Sequence, residues 1–183
     1  MSERQYEIVL YGASGFTGKL VAEYLAGEHA QLNWAIAGRN EQKLDQVRRE
    51  LGVPDLPIVV ADSSDAGQLT AMARQTRTLI STVGPYAQYG TPVLEACANE
   101  GTHYCDLTGE AQWMAQVMSE LTLSPRPAAR VWCIAVALTR CPPTCLSIFF
   151  KSTFANDTDI TLPGCLAVWV VPQVASAAVR WRA

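Results

Sequence analysis

The stretch Gly12-Ala13-Ser14-Gly15-Phe16-Thr17-Gly18 decides the reading of this chain. It directly follows the apolar run Ile8-Val9-Leu10-Tyr11 and opens a helix-like stretch, Lys19 to Ala26. A strand, a glycine turn and then a helix is the context in which a glycine fingerprint binds a dinucleotide. Gly12 permits the tight turn out of the strand. Gly15 lets the backbone approach a pyrophosphate with no Cβ in the way. Gly18 allows close helix–strand packing, and the helix N-terminus offers free N–H groups to the anion. Ser14, Phe16 and Thr17 fill the positions between and complete the candidate cofactor-binding turn. The spacing is G-x-x-G-x-x-G rather than G-x-G-x-x-G, a relative common in NADP-using enzymes. An ordinary glycine-rich strand–helix turn carries the same letters, so the surrounding elements have to decide.

Those elements alternate as a parallel sheet with crossover helices requires. Strands are predicted at Glu7 to Tyr11, Trp34 to Ala37, Ile58 to Ala61, Thr78 to Thr82 and His103 to Cys105. Helices are predicted from about Gly15 to Ala26, Glu41 to Leu51, Asp65 to Gln75, Thr91 to Glu100 and Glu110 to Met118. The strands are short and often rich in Val, Ile and Leu, as expected when both faces are covered. The predicted fold is α/β, a Rossmann-like parallel sheet of five strands in the order 3-2-1-4-5.

From about Glu120 the character changes. Pro125, Pro127, Pro142, Pro143, Pro163 and Pro172 fall between or at the ends of the apolar stretches, and no Glu follows Glu120. Residues 1–119 therefore read as one domain and 120–183 as an irregular tail. A sheet truncated before a sixth strand would leave the edge beyond strand five uncovered and open to self-association.

Composition narrows the function classes. A formal charge of −3 and a pI near 5.4 give no basic footprint for nucleic acid. No apolar run reaches the ~20 residues of a membrane span, and Ser2 to Glu7 is polar and charged, unlike a signal peptide. The six cysteines contain no C-x-x-C pair, and His29 and His103 lie far from the tail cysteines, so no metal site is expected. Reduced thiols and a cytoplasmic location are the default expectation.

Polar groups at the strand ends are the other site candidates. Arg39 follows strand two, where an NAD site usually carries an acidic residue for the ribose 2′-hydroxyl. A guanidinium suits a 2′-phosphate instead, which favours NADP over NAD. A solvated loop arginine is the alternative. Asp62, after strand three, either faces the adenine amine or caps and turns the chain into helix three. Val83, Gly84, Pro85 and Tyr86 end strand four at the edge where a nicotinamide would lie, or form a purely structural turn. Tyr104 and Asp106, at the end of strand five, are candidates to orient a substrate or donate a proton. Asp106 or Thr108 could equally cap the next helix. Cys97 and Cys105 read as small core residues.

The strings GASGFTGKLVAEYL, AGRNEQKL, STVGPYAQYGTPVLEACANEGTHYCDLTGE and QWM together resemble the saccharopine dehydrogenase-like oxidoreductases. Within them the chain looks most like the bacterial branch that includes trans-acting enoyl reductases of lipid biosynthesis. It covers about Tyr6 to Ser119 in several ordered motifs. It implies an NADP-binding domain with Gly12, Gly15 and Gly18 at the pyrophosphate and Arg39 near the 2′-phosphate. It further implies Gly84, Pro85 and Tyr86 on the nicotinamide side, and hydride transfer to or from a small or lipid-linked substrate. It carries over no catalytic residue.

The family continues with a sixth strand, a C-G-F-D-S-x-P-S-D stretch, and a large substrate domain. The tail as written has neither. Read two bases later, with synonymous codons chosen, Glu120 to Cys133 can give A-H-A-V-A-Q-A-S-G-A-R-V-V. From Cys133 the same offset can give H-R-C-G-F-D-S-L-P-S-D-L, and from Leu166 G-R-V-G-G-A-S-G-G. These are family-like strings, in order, in one frame. The expectation is a frameshift near Ser119, an out-of-frame tail and a missing substrate domain. A genuine divergent tail is the alternative. A dinucleotide-binding module without catalysis, and an inactive fragment, stay open as functions.

Overall fold

Strand β1 (Tyr6–Tyr11) is apolar on both faces, and this places it inside the sheet. Ile8 and Leu10 join one buried cluster with Ala22 and Leu25 of α1 (Phe16–Glu28) and Leu44 and Val47 of α2 (Glu41–Glu50). Val9 and Tyr11 join the opposite cluster. It holds Leu69 and Met72 of α3 (Ala66–Gln75), Val93 and Leu94 of α4 (Tyr86–Glu100), and Trp113 of α5 (Ala111–Thr122). The two-residue alternation of a strand thus assigns two helices to one face and three to the other. The structure is a computed structural model and describes residues 4–122, 131–137 and 166–172.

The remaining strands are β2 (Trp34–Gly38), β3 (Ile58–Val60), β4 (Thr76–Ser81), β5 (His103–Asp106), β6 (Val131–Ala137) and β7 (Leu166–Pro172). β1 to β5 are all parallel, in the expected order β3-β2-β1-β4-β5. Leu10 stands opposite Ile36 on one side and Ile80 on the other, and Ser81 stands opposite Asp106. The strand ends Tyr11, Gly38, Val60, Ser81 and Asp106 therefore share one carboxyl edge, where open α/β sheets bind ligands.

Two expectations are corrected. Helix α4 begins at Tyr86, five residues before the predicted Thr91, and passes through Pro92. Pro92 suits a helix start, which is why the prediction stopped there. Inside the helix it costs the bond to the carbonyl of Gln88, an exposed residue whose carbonyl water can serve.

The sheet also does not end at β5. β6 lies parallel to β5, with Cys105 opposite Cys133, and β7 lies antiparallel to β6, from Val131 opposite Pro172 to Ala137 opposite Leu166. The edge expected to be uncovered, and open to self-association, is paired. The proline-free apolar run Val131–Ala137 suits an inner parallel strand, and β5 offers it an unpaired ladder. Helix α5 runs to Thr122.

Candidate functional site

Helix α1 opens at the carboxyl edge with no side chain capping its first turn. Its N-cap is Gly15, which offers no acceptor, and no acidic residue follows in that turn. The next three helices are closed. Asn40 accepts from Lys43 N–H in α2, and Asp65 accepts from Gly67 and Gln68 N–H in α3. In α4, the N–H groups of Tyr86 and Ala87 donate to the Glu110 carboxylate. Among α1 to α4, only the end that follows the glycine turn keeps its positive dipole unanswered by a side chain.

The three glycines have different reasons. Gly12 has φ +91°, and a Cβ there would lie 2.7 Å from both Thr82 Oγ1 and Val83 Cγ2. A Cβ at Gly18 would lie 2.1 Å from the Gly12 carbonyl oxygen and 2.8 Å from Ala13 Cα. The protein's own packing requires both. A Cβ at Gly15 would meet only the Gly12 oxygen, at 3.3 Å, and its φ of −79° suits any residue. Internal packing constrains that glycine far less than the other two, since a shift of a few tenths of an ångström would relieve the contact, and a group approaching from outside gives it a further reason. Phe16 is 84% exposed and Thr17 is exposed, while Ser14 is half-buried.

At the ends of β2 and β3, Arg39 is exposed and enters no ion pair among the described residues. Asp62 Oδ1 accepts from Ser64 N–H at 2.9 Å and from Ser64 Oγ at 2.7 Å. These bonds, then the charge of nearby Arg39, hold its carboxyl below the ordinary range. Asp62 is thus the turn residue, and Asp65 is the cap of α3. Sequence reasoning missed Tyr11 here. Burial pushes its phenol up to about 12, against a hydrogen bond with Ser63; the charges of Asp62 and Arg39 also reach it. The phenol thus lies within reach of Ser63, Asp62 and Arg39 at the carboxyl edge.

At the end of β4, Val83 is half-buried against Gly12, and Gly84 and Pro85 are exposed, joined by a cis peptide bond. Tyr86 turns inward. Its hydroxyl donates to the Ser81 carbonyl at 3.0 Å, and burial, then the charge of Asp106, raises its pKa. Tyr104 and Asp106 are also buried, and the Tyr104 hydroxyl donates to Asp106 Oδ2 at 2.8 Å. Burial first, and Asp106 second, drives the Tyr104 phenol far above its ordinary value. Residues two apart on a strand share a face, and here that face is the core. Asp106 Oδ1 accepts from Thr108 N–H, and Thr108 Oγ1 from Glu110 N–H. Glu110 is the other residue that sequence reasoning did not single out. Cys97 and Cys105 are free thiols, both raised in pKa by burial.

A groove of about 410 Å³ lies elsewhere, between the flanks of α1 and α2, and is bridged by Lys19 and Glu50 at 2.7 Å. It shares no residue with the glycine turn. No helix among the described residues is long and apolar enough to cross a membrane.

The family model described as the saccharopine dehydrogenase NADP binding domain matches residues 8–130. A trans-acting enoyl reductase of Mycobacterium leprae is 49% identical over 110 residues, 59% of this chain and 26% of the relative. One from Mycobacterium ulcerans is 48% identical over 111 residues, 60% of this chain and 27% of the relative. The chain thus spans about a quarter of the length of these curated relatives. Among solved structures, an apo saccharopine dehydrogenase of Saccharomyces cerevisiae matches with TM-score 0.51 at 17% identity, over 63% of this chain and 24% of that one. That likeness speaks to the fold alone. The cofactor of the matched domain is NADP.

Proposed function

The chain belongs to the saccharopine dehydrogenase NADP-binding domain family, and on that premise we propose that it holds NADP(H) for an oxidoreductase acting on a small or lipid-linked substrate. The observation that carries this is α1: an uncapped helix end, behind a glycine that the protein's own packing constrains far less than Gly12 and Gly18. Gly12, Ser14, Gly15, Phe16, Thr17 and Gly18 form the pyrophosphate turn, with backbone N–H groups as donors. Arg39 answers the 2′-phosphate with a guanidinium that Asp62 and Tyr11 flank. Val83, Gly84 and Pro85 line the nicotinamide side, and Tyr86 supports them from beneath through Ser81. The bound cofactor supplies hydride chemistry.

The relatives' names suggest reduction of an enoyl group, with hydride and proton added across a carbon–carbon double bond. Tyr104 and Asp106 were the candidates for the proton. Their burial and mutual hydrogen bond fit a scaffold for the β5–α5 loop better. Calorimetric titration of NADP+ and NAD+ tests the binding reading, and equal affinity for both would count against it. Turnover of NADPH with an enoyl thioester separates an enzyme from a binding module.

The tail carries a second proposal: residues 120–183 are translated out of the family frame. The ordered family-like strings of the offset reading support it. The nucleotide sequence around Ser119 tests it. A one-base insertion or deletion relative to the family frame is the expected finding, and an undisturbed frame would sink the idea.

A further inference from the structure

The loop after β5 reaches back to hold the turn after β4. Glu110 Oε1 accepts from Tyr86 N–H at 2.6 Å, and Oε2 from Ala87 N–H at 2.9 Å. One carboxylate therefore closes the first two amides of α4. The local chain could not do so, because the N-cap is Pro85, with no side-chain acceptor. The loop is fixed in its turn. Glu110 N–H donates to Thr108 Oγ1 at 3.1 Å, Thr108 N–H to Asp106 Oδ1 at 3.0 Å, and the Tyr104 hydroxyl to Asp106 Oδ2. One turn further on, Trp113 Nε1 donates to Thr91 Oγ1 at 2.9 Å. The Trp113 ring covers Gly90, where a Cβ would lie 2.7 Å from Cζ2. The beginning of α4 is thus gripped on two sides by the segment that follows β5.

We infer that Glu110 is a positioning residue for the nicotinamide half of the dinucleotide, an inference that rests on the cofactor reading above. Two consequences follow from its geometry. The carboxylate answers the positive end of α4, so that of the two helix ends next to the glycine turn and the β4 turn, only α1 is left to an anion. It also fixes the position of Tyr86 N–H, and with it the exposed Gly84–Pro85 turn. The adenosine end, at Arg39 and Asp62, takes no part in this network.

The test is calorimetric titration of the full chain with two probes, NADP+ and adenosine 2′,5′-bisphosphate, which lacks the nicotinamide half. Thermal denaturation accompanies each variant. Loss of a helix cap spans roughly the range of a tenfold change in an equilibrium, so Glu110→Ala should weaken NADP+ binding ~10-fold and leave bisphosphate affinity within about twofold. Glu110→Gln keeps one acceptor oxygen and should lose less NADP+ affinity, with the same selectivity. Equal losses for both probes would show a general loss of structure and overturn the assignment. So would unchanged affinity for both. If Glu110→Ala does not fold, Glu110→Gln decides by the same comparison. A wild-type chain that binds neither probe removes the cofactor reading itself, and the assignment with it.

Discussion

Gly15→Ala and Gly18→Ala add the same methyl group to the same turn, and the structure predicts opposite results. At Gly18 the new Cβ would lie 2.1 Å from the Gly12 oxygen and 2.8 Å from Ala13 Cα. Both neighbours are backbone, so helix and turn must part by more than about an ångström to reach van der Waals contact. Overpacking of this kind costs about 1–3 kcal/mol, and the helix propensity of Ala returns up to ~1 kcal/mol. With the backbone obliged to move, a net loss of about 2 kcal/mol is expected, a fall in Tm of roughly 4–8 °C. At Gly15 the nearest atom is 3.3 Å away and the backbone is extended, with φ −79° and ψ 167°. Stability should stay within ~0.5 kcal/mol, because lost N-cap preference and reduced unfolded-state freedom nearly cancel. The methyl group would stand where a pyrophosphate approaches, so the Kd for NADP+ should rise about tenfold or more. Urea denaturation and calorimetry on both variants make the comparison. A Gly15→Ala chain that folds and binds NADP+ like wild type would refute the claim that this glycine serves a ligand. Gly15→Val, with a branched Cβ, should abolish binding if Ala only weakens it.

Arg39→Ala should weaken NADP+ binding ~10-fold or more and leave NAD+ nearly unchanged, since a charged hydrogen bond is lost only where a 2′-phosphate is present; titration of both dinucleotides reads this directly. Thr102→Val should cost about 1–2 kcal/mol in urea denaturation. The buried Thr102 hydroxyl donates to the Ala73 carbonyl at 2.6 Å, at the end of α3, and Arg4 would remain that carbonyl's donor, at 2.9 Å. On the out-of-frame reading, amides of β6 and β7 should exchange with solvent much faster than those of Val9 and Leu10 in β1. Equal protection would show a segment as well built as the sheet centre.

What was legible in the sequence was local. The sheet order follows from short apolar strands between amphipathic helices, and Asn40 and Asp65 sit in the chain beside the helix ends that they cap. The reason for Gly18 could be stated from spacing, because the turn itself supplies the atoms that it approaches, whereas the Thr82 and Val83 side chains that exclude a Cβ at Gly12 come from the end of β4. What was not legible crosses the fold. The cap of α4 comes from Glu110, 24 residues beyond Tyr86, so the helix start was misplaced toward Pro92. Tyr11 looked like the last apolar residue of a strand. Only the packing of β2 beside β1, and of β3 beside β2, brings Arg39 and Ser63 to its phenol. Tyr104 and Asp106 were substrate candidates because they end a strand. Their two-residue spacing places both side chains on one face, and only the packing shows that this face is buried.

The presence of β6 bears on the tail in a way that is easily overread. An inner parallel strand demands only an extended, proline-free apolar run, and Val-Trp-Cys-Ile-Ala-Val-Ala meets that demand whatever its origin. Facing it, β5 presents a row of N–H and C=O groups that any such run can satisfy. Pairing of Cys105 with Cys133 therefore reflects the unfilled edge of β5 as much as any selection on the tail. If the tail is out of frame, a foreign strand completes the sheet. Every residue of the candidate site, from Gly12 to Glu110, lies before residue 119. Binding and turnover then separate. On that reading the candidate dinucleotide site stays in the family frame, and any contribution from residues after Ser119 is lost. NADP+ binding without NADPH turnover is the outcome that this reading requires, and turnover of an enoyl thioester by this chain would defeat it.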